Sequence, residues 1–116
     1  MANKRTISIE QLKKLEPITA LSEERLQELL PLSYIEHLEI GANVFREGDI
    51  DNQTVYLLEG DVKLASSGGK INKTIKHKDQ QARFPLDDSQ PRQASCSALT
   101  RAEVVRIDNS VLDYMM

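Results

Sequence analysis

The chain has 116 residues, a single-domain length that can bury a core without disulfides or metals. Its 40% hydrophobic and 28% charged residues exclude a disordered chain, and its net charge of −3 argues against bulk nucleic-acid binding, which needs a basic face. One cysteine, Cys96, excludes an internal disulfide and points to a reducing, cytoplasmic setting.

The basic start Met1-Ala2-Asn3-Lys4-Arg5 leads into no apolar run, so it is not a secretory signal, and no stretch is long enough to span a bilayer. Ser8 and Gln11 make a capping-box pattern ahead of Leu12 and Leu15. Leu21, Ser22 and Leu26 fit a hydrophobic staple around a second N-cap, with Glu23 and Glu24 in the favourable first turn. Leu26, Leu29 and Leu30 supply that helix's buried face, and Pro31 limits it.

Beyond Pro31 the pattern shortens. Leu38-Glu39-Ile40 alternates and Gly41 breaks it; Val44-Phe45 resumes and Gly48-Asp49 breaks it again. Val55-Tyr56-Leu57-Leu58 is a third run, closed by Gly60, and Val62 and Leu64 a fourth. Ser66-Ser67-Gly68-Gly69 reads as a hairpin turn into Ile71, Thr74 and Ile75, where Lys70, Lys73 and Lys76 mark a sheet edge. Residues 77–91 are polar and irregular. Residues 94–98 and 103–107 read as strands, and Asp108 as the N-cap of a last helix carrying Val111, Leu112 and Met115.

Many short strands with regular turn signals predict a mainly β protein, a sandwich or closed roll with helices at both ends. The expected division is helices over 8–31, roll over 34–107 and a short C-terminal helix over 108–116. Together these make one domain, 1–116, of a longer protein. The leucine stripes suit the roll's own core, or packing on a partner domain or a second copy as a homodimer.

Catalysis finds little support. His37 and His77 show no metal-ligand spacing and lie far from Cys96, which reads as structural, and no paired carboxylates or triad stand out. Glu47 and Asp49 read as turn formers. No helix-turn-helix follows the roll, so this segment is not expected to bind nucleic acid directly.

The run Pro91-Arg92-Gln93-Ala94-Ser95-Cys96-Ser97-Ala98 places one guanidinium before small residues, whose backbone N–H groups can approach a phosphate. A surface arginine at a strand entry, or a salt bridge from Arg92 to Asp87 or Asp88, is the structural alternative.

The block Gly41 to Asp49, with Glu47-Gly48-Asp49, followed by Val55-Tyr56-Leu57-Leu58-Glu59-Gly60-Asp61-Val62, resembles the front half of a cyclic-nucleotide-binding domain. The resemblance extends over about residues 8 to 116 and implies a β-roll of the jelly-roll type. It also implies a regulatory role in signal transduction, with cyclic AMP, cyclic GMP or another anion as ligand. It further implies an output domain beyond Met116.

That family's phosphate cassette matches here in its second half. Leu86 is followed six residues on by Arg92, and Ala94, Ser95 and Ala98 fall in place. By resemblance Arg92 takes the phosphate, with Gln93, Ala94 and Ser95 beside it. The first half departs. Lys78 stands at a glycine, Gln81 at an aromatic, Ala82 at the close-approach glycine, Arg83 at the ribose-binding glutamate and Pro85 at a small alanine. An arginine can only donate where the glutamate accepted. Losing such a contact costs about 1–3 kcal/mol. Weak or absent binding of ordinary cyclic AMP or cyclic GMP is the expectation, with Arg83 available to help Arg92 hold an anion. The alternative is a working sensor that uses Arg92.

Overall fold

The computed structural model describes residues 5–116, and the basic start of the chain, residues 1–4, lies outside them. After a two-residue strand at Arg5–Thr6 come the helices: α1 (Ile9–Leu12), a 3-10 turn at Ile18–Ala20, α2 (Glu23–Leu29) and a second 3-10 turn at Leu30–Leu32. Ser8 and Gln11 form the full capping box, and the Ser22 hydroxyl accepts the Arg25 N–H at 3.2 Å. These caps satisfy amides that a first helical turn leaves open. Pro31 does not stop the chain's coiling; it sits inside the second 3-10 turn, where its missing N–H costs nothing.

Eight strands form, the first of them not foreseen from the sequence pattern: β1 (Arg5–Thr6), β2 (Tyr34–Leu38), β3 (Asn43–Phe45), β4 (Gln53–Glu59), β5 (Asp61–Ala65), β6 (Asn72–Lys76), β7 (Ser95–Ala98) and β8 (Ala102–Asp108). They make two four-stranded antiparallel sheets, ordered β1-β2-β8-β4 and β3-β7-β5-β6. This is the mainly β roll that the strand spacing predicts. The β6 strand is an edge, as its lysines indicate. The alternating run at 38–40 is displaced, however. The strand covers 34–38, and Ile40 lies beyond it, 71% exposed. The Gly41 turn takes residues 39–40 out of the sheet, with the Gly41 N–H donating to Ala98 O.

The first sheet separates two cores. Leu38, Val55, Leu57, Ala102 and Val104 face the roll interior, with Val44, Phe45, Val62, Leu64, Ile75 and Cys96 opposite. The alternate residues Ile35, Tyr56, Val105 and Ile107 face Leu12, Leu15, Ile18, Leu26 and Leu29 of the helical layer. Each fully buried leucine contributes about 1.5–3 kcal/mol. The helical leucines therefore close the domain's own core. The last helix, α3 (Asn109–Met115), packs there through Leu112. Asp108 holds its N-cap position but its side chain makes no capping bond; the start is fixed instead by the Asn109 N–H on Asn52 O and the Thr54 hydroxyl on Asn109.

Gly60 links β4 to β5 with φ +85°, and a Cβ there would lie 2.3 Å from Arg101 O. No other residue fits that corner.

Candidate functional site

The turn Gly48-Asp49 brings the chain against Arg92. The Gly48 N–H donates to Arg92 O at 2.7 Å, and the Arg92 N–H donates to Asp49 O at 2.9 Å. The side chain of Arg92 then runs inward under β3 and β4, with no exposed surface. Its Nε donates to Asp51 Oδ2 at 3.1 Å and its Nη2 to Asp51 Oδ1 at 2.8 Å, a two-point fork. Nη2 also donates to Gln53 O at 2.6 Å, and Nη1 to the Asp87 carbonyl. The Phe45 ring lies 4.2 Å from the guanidinium carbon, a cation–π contact away from water.

Four donations and a ring thus hold the guanidinium inside the protein. Burial pushes the Asp51 carboxyl upward. The bonds from Arg92, the Gln53 amide and Gln90, together with the Arg92 charge, outweigh it and hold Asp51 below its usual range. The salt bridge open to Arg92 from sequence was Asp87 or Asp88. The partner is Asp51, and Asp87 offers its carbonyl, because its carboxylate is already engaged by the Gln93 and Ser89 N–H groups at 2.9 and 3.0 Å. Asn52 and Asp87 both have φ 56°, and they flank this centre. Short polar side chains tolerate that left-handed backbone best.

The remaining candidate residues divide into two groups. Gln93 is exposed with its N–H on Asp87; Ala94 is buried; the Ser95 hydroxyl accepts the Glu47 N–H at 2.9 Å. These adjoin Arg92. Ala82 and Leu86 are buried in the roll core, and Ala82 belongs to the 3-10 turn Gln80–Arg83 inside the segment that sequence leaves irregular. Arg83 turns to the helical layer. Its Nε donates to Lys14 O at 3.0 Å, its Nη2 lies 3.5 Å from Glu16, and its own carbonyl takes the Glu16 N–H at 2.7 Å. A cleft of about 300 Å³ opens there, walled by Lys14, Leu57, Glu59, His77 and Arg83 among others, and Arg92 is not among its walls. Arg83 and Arg92 therefore share no partner.

Sequence reading missed Asp51, Gln53 and Phe45 as the residues that receive Arg92. The available signal was Asp51 itself, a lone acid one turn after Gly48-Asp49 and just ahead of an apolar strand. Cys96 is buried, and burial pushes its thiol up to about 12. No group of metal-ligating side chains occurs among the described residues.

Comparison with known proteins matches this architecture. The sensor domain of the transcriptional regulator DNR from Pseudomonas aeruginosa superposes with a TM-score of 0.77 at 25% identity, over 93% of this chain and 79% of that one. The regulatory domain of Toxoplasma gondii PKA, solved with cAMP, gives 0.76 at 12% identity, over 93% and 42%. A cyclic nucleotide-binding-like protein from Brucella abortus gives 0.67 at 19%, over 92% and 95%. The last two show the fold alone, and this chain spans less than half of the PKA chain. No curated protein sequence matches. The model of the cyclic nucleotide-binding domain matches residues 35–116, which run from β2 through both sheets and the Arg92 centre to α3, and the chain belongs to that family.

Proposed function

We propose that this domain is a non-catalytic regulatory module that binds ordinary cyclic AMP and cyclic GMP weakly or not at all. The observation that carries this is the state of Arg92: its fork is spent on Asp51, Gln53 O and the Asp87 carbonyl, and its side chain has no exposed surface. An incoming phosphate would have to displace internal charge-assisted bonds before making its own. The neighbouring Gln93 N–H is likewise committed to Asp87. Arg83, at the position of the family's ribose-binding glutamate, has its donors on Lys14 O and Glu16.

The P. aeruginosa neighbour is the sensor domain of a transcriptional regulator. By analogy this domain acts on an output domain or partner protein. No helix among the described residues is long and apolar enough to cross a membrane.

Calorimetric titration with cyclic AMP and with cyclic GMP tests the reading. The expected result is no saturable heat below about 0.1 mM ligand. Saturable binding at micromolar ligand, lost in Arg92→Lys with the fold intact by circular dichroism, overturns it and makes the domain a working sensor.

A further inference from the structure

The hairpin of β5 and β6 is a charge anomaly. Residues 61–78 carry Lys63, Lys70, Lys73, Lys76 and Lys78 against one acid, Asp61, which lies across the ladder from Lys76. That segment is +4 in a chain of −3, which leaves −7 on the remainder. All five lysines are exposed, and none enters an ion pair among the described residues.

The hairpin is rigidly presented. Glu47 Oε1 accepts the Ser67 N–H at 2.8 Å and its Oε2 the Ser67 hydroxyl at 3.1 Å, while the Ser66 hydroxyl takes the Ile71 N–H at 3.0 Å. Its outer edge is partly open. The His77 N–H donates to Gly60 O at 3.0 Å and the Ser66 N–H to Ile71 O at 2.9 Å, so these facing residues bond across the ladder. The register Val62↔Ile75, Leu64↔Lys73 continues that alternation. Asn72, Thr74 and Lys76 then turn their N–H and C=O away from β5. Lys76 is closed off: Asp79 takes its N–H at 3.1 Å and donates back to its carbonyl at 2.9 Å. Asn72 and Thr74 face outward where no further strand lies among the described residues.

We infer that the β6 edge is a docking surface for an acidic, extended segment of a partner protein, which adds as a strand at Asn72 and Thr74. Successive side chains of a strand alternate between faces. Lys73 shares a face with the buried Ile75, whereas Lys76 lies on the opposite face, as does Lys63 on β5. A strand added at the edge presents its carboxylates to both faces and meets both sets. A lipid headgroup plane or a duplex would engage one face only. The segment also holds no Phe, Tyr or Trp to stack on bases and no arginine fork for phosphate, and the exposed large apolar residues lie outside it. Strand addition supplies affinity through the backbone, and charge supplies selectivity. The inference does not depend on whether the roll holds a nucleotide.

The test uses a synthetic eight-residue peptide with four glutamates, two on each face of an extended strand. Expected are saturable binding by fluorescence anisotropy and slowed amide exchange at Asn72 and Thr74. Affinity should fall about tenfold in Lys73→Glu/Lys76→Glu. The same peptide N-methylated on its pairing amides should not bind, a control that leaves the protein untouched. Equal binding of the N-methylated peptide, or no protection at Asn72 and Thr74, overturns strand addition. So does absence of binding, or tighter binding to vesicles of phosphatidylserine or to duplex DNA than to the peptide.

Discussion

Removing Asp51 should destabilise this domain more than removing Arg92, although the two form one ion pair. Asp51→Ala leaves a guanidinium with no exposed surface and only two carbonyls and a ring for company. Stranding a buried charge in this way costs about 3–5 kcal/mol. Arg92→Met instead removes the charge and keeps an unbranched side chain against Phe45. The carboxylate it leaves is 24% exposed and can take water. Gln53 O and the Asp87 carbonyl lose a donor, for about 1–3 kcal/mol. The double variant should cost less than the sum, because once Arg92 is gone Asp51 has little left to stabilise. A chain of this size has roughly 6–17 kcal/mol of stability, so all three variants should fold and be measurable by urea denaturation. The pH dependence carries a sign. Asp51 is held below its usual range, so its contribution is present above the unfolded carboxylate value of about 3.9 and is lost as pH falls through the lower, folded value. Asp51→Asn should flatten that acid limb. A larger loss in Arg92→Met than in Asp51→Ala, or a double-variant cost equal to the sum, refutes the view of Arg92 as an internally neutralised pin.

Two further outcomes follow from local geometry. Gly60→Ala should lower stability by about 2 kcal/mol or more in thermal unfolding, since positive φ and backbone contact with Arg101 O combine there, whereas Gly41→Ala, with φ +85° but open space around it, should cost only about 1–2. Cys96 should stay inert to a disulfide reagent at pH 8 while the domain is folded, and react at once in denaturant, because burial keeps it a thiol up to about 12. Fast labelling of the folded protein would show that β7 opens locally.

The frame of the domain was legible because its signals are local. A glycine with φ +85° or +91°, a capping serine and a run such as Val55 to Leu58 each act within a few residues of where they are read. The strand boundary at Leu38 was misplaced because Glu39 and Ile40 keep the alternating pattern while the Gly41 turn takes them out of the sheet. Arg92 was legible as special, but its partner was not. Asp51 lies 41 residues away and reaches it only when the Gly48-Asp49 turn folds onto Pro91–Arg92. Proximity in sequence favoured Asp87 and Asp88, and Asp87 does arrive at the site, through its carbonyl. Arg83 was read against a ribose, yet its contacts are with Lys14 and Glu16 of the helical layer.

The sheet between the two cores raises a question of addressing. A half-exposed strand resists a one-residue slip because the slip would bury its polar side chains. β4 and β8 lack that protection: Tyr56 and Leu57, or Val104 and Val105, could trade places at little hydrophobic loss. Their alignment must therefore be written in other characters. The Tyr56 hydroxyl finds Glu16 O at 2.8 Å, Arg106 finds Glu36 at 2.8 Å and Val44 O at 2.7 Å, and the missing side chain of Gly60 admits Arg101 O. The bulge between Leu57 and Glu59 absorbs the one residue left over. A few polar and steric marks thus tell two interchangeable apolar faces which core is theirs.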